Sequence, residues 1–285
     1  VDTMVVGQIA GVEALAALGA VDFLMWVVTG ISTGLTQGFS IQLSQYYGAK
    51  DFENLRKSLA HSYRLTAFIA AGVLILSQSF ASLVLTGLHT PSNIIGMSLL
   101  YLRIIFCGIP ATAAYNMFAS ALRAMGNSKT PLTAMIIASV LNVSLDILFV
   151  AGFGWGVAGA AIATVIAQSF SAVYCFLILR RIDIVHLTRA DFMPASGMNA
   201  RLMKLGIPVV FQNIIIGVGG LVVQYVINGY GFLFVAGFTA ANKLYGVLEM
   251  ASVSYGYAIT TYVGQNLGAK KYRRIRNGVR SGVYM

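Results

Sequence analysis

Seven stretches of the chain run with almost no charge for at least the thickness of a bilayer: residues 15–46, 58–86, 92–122, 130–151, 157–180, 202–228 and 233–264. A helix needs about 20 apolar residues to cross the hydrocarbon core. In lipid every peptide group must find its partner inside the chain, so runs of this length fold as helices. The charges between them alternate. Seventeen of the nineteen Lys and Arg fall near residues 50–64, 123–129, 180–204 and 270–280, while the loops near 87–91, 152–156 and 229–232 carry none. Basic loops face the cytoplasm. The net charge of +10 therefore records topology, and nucleic-acid binding is not expected. Charged residues make up 10% of the chain and hydrophobic ones 58%. A soluble domain has about 25% charged residues, so this chain has too little polar surface to coat a water-soluble globule. The expected fold class is all-α, a polytopic transmembrane helix bundle in a plasma membrane, the inner membrane if the source is bacterial.

The chain also repeats itself. QYYGAKDFENLR at 45–56 aligns with QNLGAKKYRRIR at 265–276, so that Gln45/Gln265, Gly48/Gly268, Ala49/Ala269, Lys50/Lys270 and Arg56/Arg276 coincide at an offset of 220. The same offset pairs Ala16 with Ala236, Ala20 with Ala240 and Leu24 with Leu244. The offset spans an even number of helices, so both copies enter the membrane in the same direction, as in parallel two-lobe transporters. Each lobe is expected to hold six helices. Residues 1–10 read as the tail of an earlier helix and 275–285 as the start of a later one, so the chain reads as part of a longer protein. The expected division is an N-lobe over 1–181, a cytoplasmic linker over 182–201, and the start of a C-lobe over 202–285.

Polar groups inside the spans are the candidates for function. Asp146 lies one turn after Asn142 in VLNVSLDILF, so both side chains share a helix face. A carboxylate at a helix centre costs about 2.5–3.5 kcal/mol on insertion scales, so it needs a partner or a cavity. An interhelical hydrogen bond that only fastens helices is one reading. A cation site is the other, and depth favours it. At 1.5 Å per residue, Asp146, Asn142, Thr164 and Asp2 lie roughly 9 to 15 Å below the outer surface. Two carboxylates, an amide and a hydroxyl are hard oxygen ligands suited to Na⁺. A carboxylate in apolar surroundings also takes up a proton more readily, so one site serves either H⁺ or Na⁺.

The stretches VDTMVVG, LAALGA, SQYYGAKD, LRAMGNSKTPL, VLNVSLDILF, GVAGAAIATVIAQ and VGQNLGAKK resemble the multidrug and toxic compound extrusion (MATE) exporters, along the whole chain. The resemblance implies twelve helices in two pseudo-symmetric lobes around a central cavity. It implies export of organic cations and other amphiphiles in exchange for Na⁺ or H⁺. It also implies that Asp2, Asn142, Asp146 and Thr164 are the N-lobe coupling site. Many members carry a glutamate partway along the seventh helix of the protein; here GIPVVFQNIIIGVGG offers Gln212 and Asn213 and no acid, which favours coupling through the N-lobe.

Other features admit plainer readings. Gly30, Gly34 and Gly38 recur every four residues, a face for close helix approach or a flexible gate. Pro110 is expected to kink its helix, and Pro208 lies near the start of another. Arg103, Lys243, Glu249 and Asp22 lie within spans, as ion pairs such as Arg103 with Asp22 and Lys243 with Glu249, or as cavity charges. Aromatic side chains that could stack on a flat cation include Tyr115, Tyr225, Tyr255 and Tyr257. Gln212, Asn213, Glu249, Tyr115 and Tyr255 are the expected substrate-cavity residues. The histidines His61, His89 and His186 are scattered, and no metal, nucleophile or phosphate-cradling motif is present. An enzyme is not expected, nor a cofactor beyond the coupling ion, and a monomer is. The rivals are a flippase for lipid-linked sugar or peptidoglycan precursors, which would want a strongly cationic cavity, and a seven-helix receptor, which the duplication argues against.

Overall fold

The computed structural model describes residues 2–9, 11–19, 21–87, 92–228 and 232–284. Within those helices the side chains of 2–5, 12, 15, 16, 22, 23, 221, 224, 225, 227, 228, 232–240, 242–244, 247, 248, 250 and 251 lie outside the description. The described residues form helices joined by short turns, without strands among them: α1 (Asp2–Ile9), α2 (Val12–Gly19), α3 (Asp22–Ala49), α4 (Phe52–Gly87), α5 (Ile95–Cys107), α6 (Ile109–Ala124), α7 (Lys129–Asp146), α8 (Gly156–Arg180), α9 (Met198–Asn228), α10 (Phe232–Gly268) and α11 (Tyr272–Tyr284). A π-helical turn, Ile147–Gly152, extends α7, and short 3₁₀ turns at Asp183–Val185 and Arg189–Phe192 occupy the segment between α8 and α9.

Among the described residues, four helices are long and apolar enough to cross a membrane: α4, α7 with its π turn, α8, and Met198–Gly220 of α9. The pair α5–α6, bent by 45°, makes a fifth. Large apolar side chains stand exposed along these helices, Phe68 at 81% and Leu83 at 67% among them, as a lipid-facing surface requires. The bend falls where Pro110 predicts it. Gly108 closes α5, and the proline sits in the first turn of α6, where its missing N–H costs nothing.

The expected span 15–46 differs in the structure. It is two helices, α2 and α3. Ser98 Oγ of α5 donates to the Ala17 carbonyl at 3.0 Å, which ties the short α2 to α5 rather than stacking it on α3. α3 itself falls short of the apolarity of a lipid-facing span because Thr29, Thr33, Thr36, Gln37, Gln42 and Gln45 punctuate it. Thr36 and Gln42 are buried, and Thr29, Thr33 and Gln37 line a cavity within the protein. α3 packs against α4 and α6 of its own lobe and against α9 and α10 of the other.

Its glycines make the inter-lobe packing possible. A Cβ on Gly34 would stand 2.9 Å from the Val210 nitrogen of α9, and one on Gly38 would overlap the Gly206 backbone. The duplication then reappears as a contact. A Cβ on Gly48 would overlap the carbonyl oxygen of Gln265, and one on Gly268 would overlap that of Gln45. The two copies of the Gln-x-x-Gly motif are pressed against each other, each glycine on the other copy's glutamine. Both helices end alike. Lys50 and Lys270 are left-handed, at φ 59° and 56°. Lys50 N donates to Tyr47 O at 3.1 Å and Asp51 N to Tyr46 O at 3.0 Å; Lys270 N donates to Leu267 O at 3.0 Å and Lys271 N to Asn266 O at 2.8 Å. All four donor–acceptor pairs match at an offset of 220. The contact brings the C-terminal ends of α3 and α10 together at backbone distance.

Two apolar cores flank the middle of the N-lobe. One, at the cytoplasmic end, gathers Phe39, Leu43, Leu59, Met117, Leu122 and Leu179. The other, at the outer end, gathers Leu18, Leu85, Leu102, Phe106, Val150 and Val157. The segment after α8 is fastened to α4. Arg56 Nε lies 3.8 Å from Asp191 Oδ1, Arg64 donates to the Phe192 carbonyl at 2.9 Å, and Asp191 completes a capping box with Thr188. His61, 2% exposed, donates from Nε2 to the Met193 carbonyl at 3.0 Å and pairs through Nδ1 with the Asn199 side-chain amide at 2.7 Å.

Candidate functional site

The polar groups of the N-lobe meet between α7 and α8. Asn142 Nδ2 donates to Thr164 Oγ1 at 3.2 Å. The spacing that set them at similar depths also sets them side by side, because α7 and α8 are antiparallel neighbours joined by a short outer loop. Asp146, one turn outward from Asn142, is fully buried at 0% exposed. It stands at the junction between α7 and the π turn. A π turn widens the helix by one residue and resets which face the following side chains present. α1 packs against α7, the π turn and α8, so the helix that begins at Asp2 borders this layer. The Asp2 side chain lies outside the described residues, as do those of Asp22, Tyr225 and Lys243.

Asn142 and Thr164 open onto a cavity of about 180 Å³. Tyr115 of α6, Ser139 of α7, and Gln168 and Ser171 of α8 also line it. Each sits a turn or two from its neighbour on the same helix, so hydroxyls and amides descend from Asn142 toward the cytoplasm. The Tyr115 hydroxyl is buried without a hydrogen-bond partner among the described residues. Asp146 is not part of the lining; it lies behind Asn142 on the outer side.

A second, larger cavity of about 490 Å³ lies between the lobes. α3 contributes Trp26, Thr29, Gly30, Thr33 and Gln37, α9 contributes Gln212, Asn213 and Ile216, and α10 contributes Glu249, Val253, Gly256, Tyr257 and Thr260. Its walls are tied across the lobe boundary by Asn213 Nδ2, which donates to the Gly30 carbonyl at 3.1 Å. Asn116 Nδ2 of α6 holds Thr33 Oγ1 at 3.2 Å. Arg123, from the end of α6, stands over the ring of Tyr257, 5.6 Å from its centroid. Glu249 is the charged side chain among the described lining residues.

The five expected substrate-cavity residues therefore part company. Gln212, Asn213 and Glu249 line the inter-lobe cavity. Tyr115 lines the N-lobe cavity instead. Tyr255 lines neither. Its hydroxyl lies 3.5 Å from the place a Cβ of Gly282 would take, against α11. Residues two apart on a helix point to nearly opposite sides, so the aromatic that α10 gives the cavity, among the described residues, is Tyr257. Sequence reasoning also missed Thr29, Thr33 and Gln37, whose i, i+4 spacing marks a polar stripe on α3. It missed Gln168 and Ser171, which extend the face of Thr164 in the same way. Each suggested ion pair includes a side chain outside the described residues, Asp22 in one and Lys243 in the other. Arg103 is exposed on α5, and its backbone carbonyl accepts from Gln78 Nε2 at 2.8 Å. No group of three or more His, Cys, Asp or Glu comes together among the described residues.

Comparison with known proteins gives this geometry a family. The MatE family model matches residues 1–148 and 208–285. The probable multidrug resistance protein YoeA of Bacillus subtilis (strain 168) is 28% identical over 293 residues, covering 100% of this chain and 63% of the relative. YpnP of the same organism, also described as a probable multidrug resistance protein, is 30% identical over 275 residues, covering 96% of this chain and 62% of the relative. The chain thus spans a little under two thirds of the length of these relatives. Among solved structures, a MOP superfamily transporter from Pyrococcus furiosus superposes with a TM-score of 0.90 at 21% identity, covering 99% of this chain and 63% of the other. A multidrug resistance MATE family transporter in an outward-facing conformation gives 0.89 at 20% identity, with coverage of 99% and 63%. One in an inward-facing conformation gives 0.79 at 22%, with coverage of 99% and 65%. The chain is a multi-pass membrane protein and belongs to the MatE family.

Proposed function

We propose that this protein is the N-lobe and part of the C-lobe of a cation-coupled exporter of cationic or amphiphilic small molecules, working by alternating access. The observation that carries the reading is the Asn142–Thr164 hydrogen bond beside the fully buried Asp146. Oxygen donors on two packed helices, bordered by α1, suit a proton or Na⁺. The inter-lobe cavity supplies the second half. Its described lining carries one carboxylate, Glu249, and the aromatic ring of Trp26 beside that of Tyr257, over which Arg123 stands; a carboxylate with an aromatic face attracts flat organic cations. A pyrophosphate-bearing lipid would meet the Glu249 carboxylate there, no Lys or Arg is among the described lining residues, and the neighbouring Arg123 is engaged over the Tyr257 ring, which disfavours the flippase reading.

The cycle follows from the seal. In this reading the close packing of Gly48 and Gly268 shuts the end that the basic loops assign to the cytoplasm, and the cavity communicates outward. A cation entering the N-lobe site neutralises Asp146 and removes the penalty of moving that carboxylate through an apolar interior. The cation drives the exchange only in so far as it binds one state more tightly. Taking a two-state balance from 1:99 to 99:1 requires about 5.5 kcal/mol of such preference. Asp146→Asn removes the charge that changes. Dye efflux driven separately by a Na⁺ gradient and by a proton gradient is expected to lose dependence on whichever gradient drives the parent, with a rate at least about tenfold lower. Unchanged export and ion dependence in both Asp146→Asn and Asp2→Asn would refute the reading.

A further inference from the structure

A groove on the outside of the N-lobe has no part in either cavity. It lies between α4, α6 and α8, encloses about 380 Å³, and no residue of α3, α9 or α10 lines it. Ala67, Ala71 and Leu74 of α4 form one wall. Ala114 and Phe118 of α6 and Phe176 of α8 form the other, and these three also line an adjoining hollow of about 360 Å³. The alanines leave the space open. Aromatic rings close its cytoplasmic end, with Phe118 packed edge-on to Tyr63 at 5.4 Å and against Phe176 at 5.3 Å. The lining is apolar apart from two hydroxyls. One belongs to Tyr63. The other is Thr66 Oγ1, on a residue 8% exposed, which has no hydrogen-bond partner among the described residues.

Three observations say what fits. The groove runs from Tyr63 to Leu74, about 16 Å along α4 at 1.5 Å per residue. That is the depth of one leaflet of a hydrocarbon core about 30 Å thick. α4 enters from the cytoplasmic side, so the leaflet is the inner one. Arg180 sits one turn beyond Phe176 on the same face of α8 and is exposed, followed by the exposed Arg181, which places positive charge at the level of the inner headgroups. The lining itself is apolar apart from the Tyr63 and Thr66 hydroxyls, which suits a hydrocarbon chain. We infer that the α4–α6–α8 groove binds an acyl chain of an inner-leaflet anionic phospholipid, with the headgroup phosphate at Arg180. The site stands apart from the transport reading, since it shares no residue with the Asn142–Thr164 layer or with the inter-lobe cavity.

The test uses the protein in nanodiscs of mixed phosphatidylglycerol and phosphatidylcholine, with retained lipid counted by native mass spectrometry. The parent is expected to hold one phosphatidylglycerol in preference to phosphatidylcholine. Ala67→Phe fills the groove from its exposed side without entering the core, and is expected to lower that retention at least fivefold. Ala114→Phe fills it from the opposite wall and gives a second, independent reading. Arg180→Gln is expected to remove the headgroup preference, by about fivefold for one lost charge, while leaving a lipid bound. Val140→Phe, on the exposed face of α7, is the control and changes nothing. Equal phosphatidylglycerol retention in parent, Ala67→Phe and Ala114→Phe overturns the inference. So does a parent that holds both lipids equally, or one that holds a lipophilic cationic dye in the groove in place of lipid.

Discussion

A carboxylate at 0% exposure inside a membrane helix is too costly to be incidental. The carboxylate is that of Asp146. It stands where α7 gives way to a π turn, one turn from an amide that is itself engaged with Thr164. The same residue-scale logic separates the two tyrosines of α10. Tyr257 faces the inter-lobe cavity and lies beneath the Arg123 guanidinium, while Tyr255 faces α11. Tyr257→Ala frees the Arg123 guanidinium that the ring holds and is expected to weaken binding of a flat cationic dye at least threefold, in line with about 0.5–2 kcal/mol for a cation–aromatic contact. Tyr255→Ala is expected to leave the dye affinity unchanged. Fluorescence titration of the purified protein compares the two. Sequence alone named Tyr255 because both tyrosines sit in one apolar run; which face of α10 meets the cavity is fixed by how α10 packs on α3.

At the scale of elements, α3 decides most of what the molecule can do. Its polar stripe looks into the inter-lobe cavity and its glycines admit α9 and α10 to backbone distance. Gly48 and Gly268 are the tightest of these places, and they are equivalent in the duplication. An alanine at either forces the cytoplasmic ends of α3 and α10 apart. Overpacking of this kind costs about 1–3 kcal/mol, which shifts a two-state balance by about 5- to 150-fold. Gly48→Ala is therefore expected to raise labelling of a cysteine placed at Gln265 by a cytoplasmic thiol reagent. Gly72→Ala, where an added Cβ meets nothing within 4 Å, is expected to leave that labelling unchanged. The spacing of Gly30, Gly34 and Gly38 is legible in the sequence as a packing face. That Gly48 and Gly268 pack on each other is not, because an alignment offset carries no information about the axis that relates the copies.

For the whole molecule, the segment 182–197 belongs mechanically with the N-lobe. Arg56, His61 and Arg64 of α4 hold Asp191, Met193 and Phe192 respectively. The chain leaves this attachment at Gly197, left-handed at φ +74°, immediately before α9. His61→Ala removes the hydrogen bonds to the Met193 carbonyl and the Asn199 amide, each worth about 0.5–1.5 kcal/mol, together with the packing of a buried ring. A lower thermal midpoint in detergent is expected, together with faster proteolysis between residues 186 and 196. His186→Ala, at an exposed position, is the comparison and is expected to show neither. The residue pattern did not announce His61, since one histidine near the end of an apolar run looks the same whether it clasps a loop or faces water.

What the sequence determined by itself follows from solvent. Long uncharged runs must be helical in lipid, basic loops stay on one side, and a repeat at an even helix number gives parallel lobes; each of these is local or one-dimensional. The pairing of Asn142 with Thr164 was also readable, because antiparallel helices joined by a short loop keep their depths in register. The tertiary structure alone decided the rest: the break between α2 and α3, the face that Tyr115 and Tyr255 present, the reciprocal seal of Gly48 and Gly268, and the lipid-side groove. Those depend on the rotation of each helix about its axis and on which neighbour it meets, and helices as apolar as these can be turned toward lipid or toward protein with little change in their own composition.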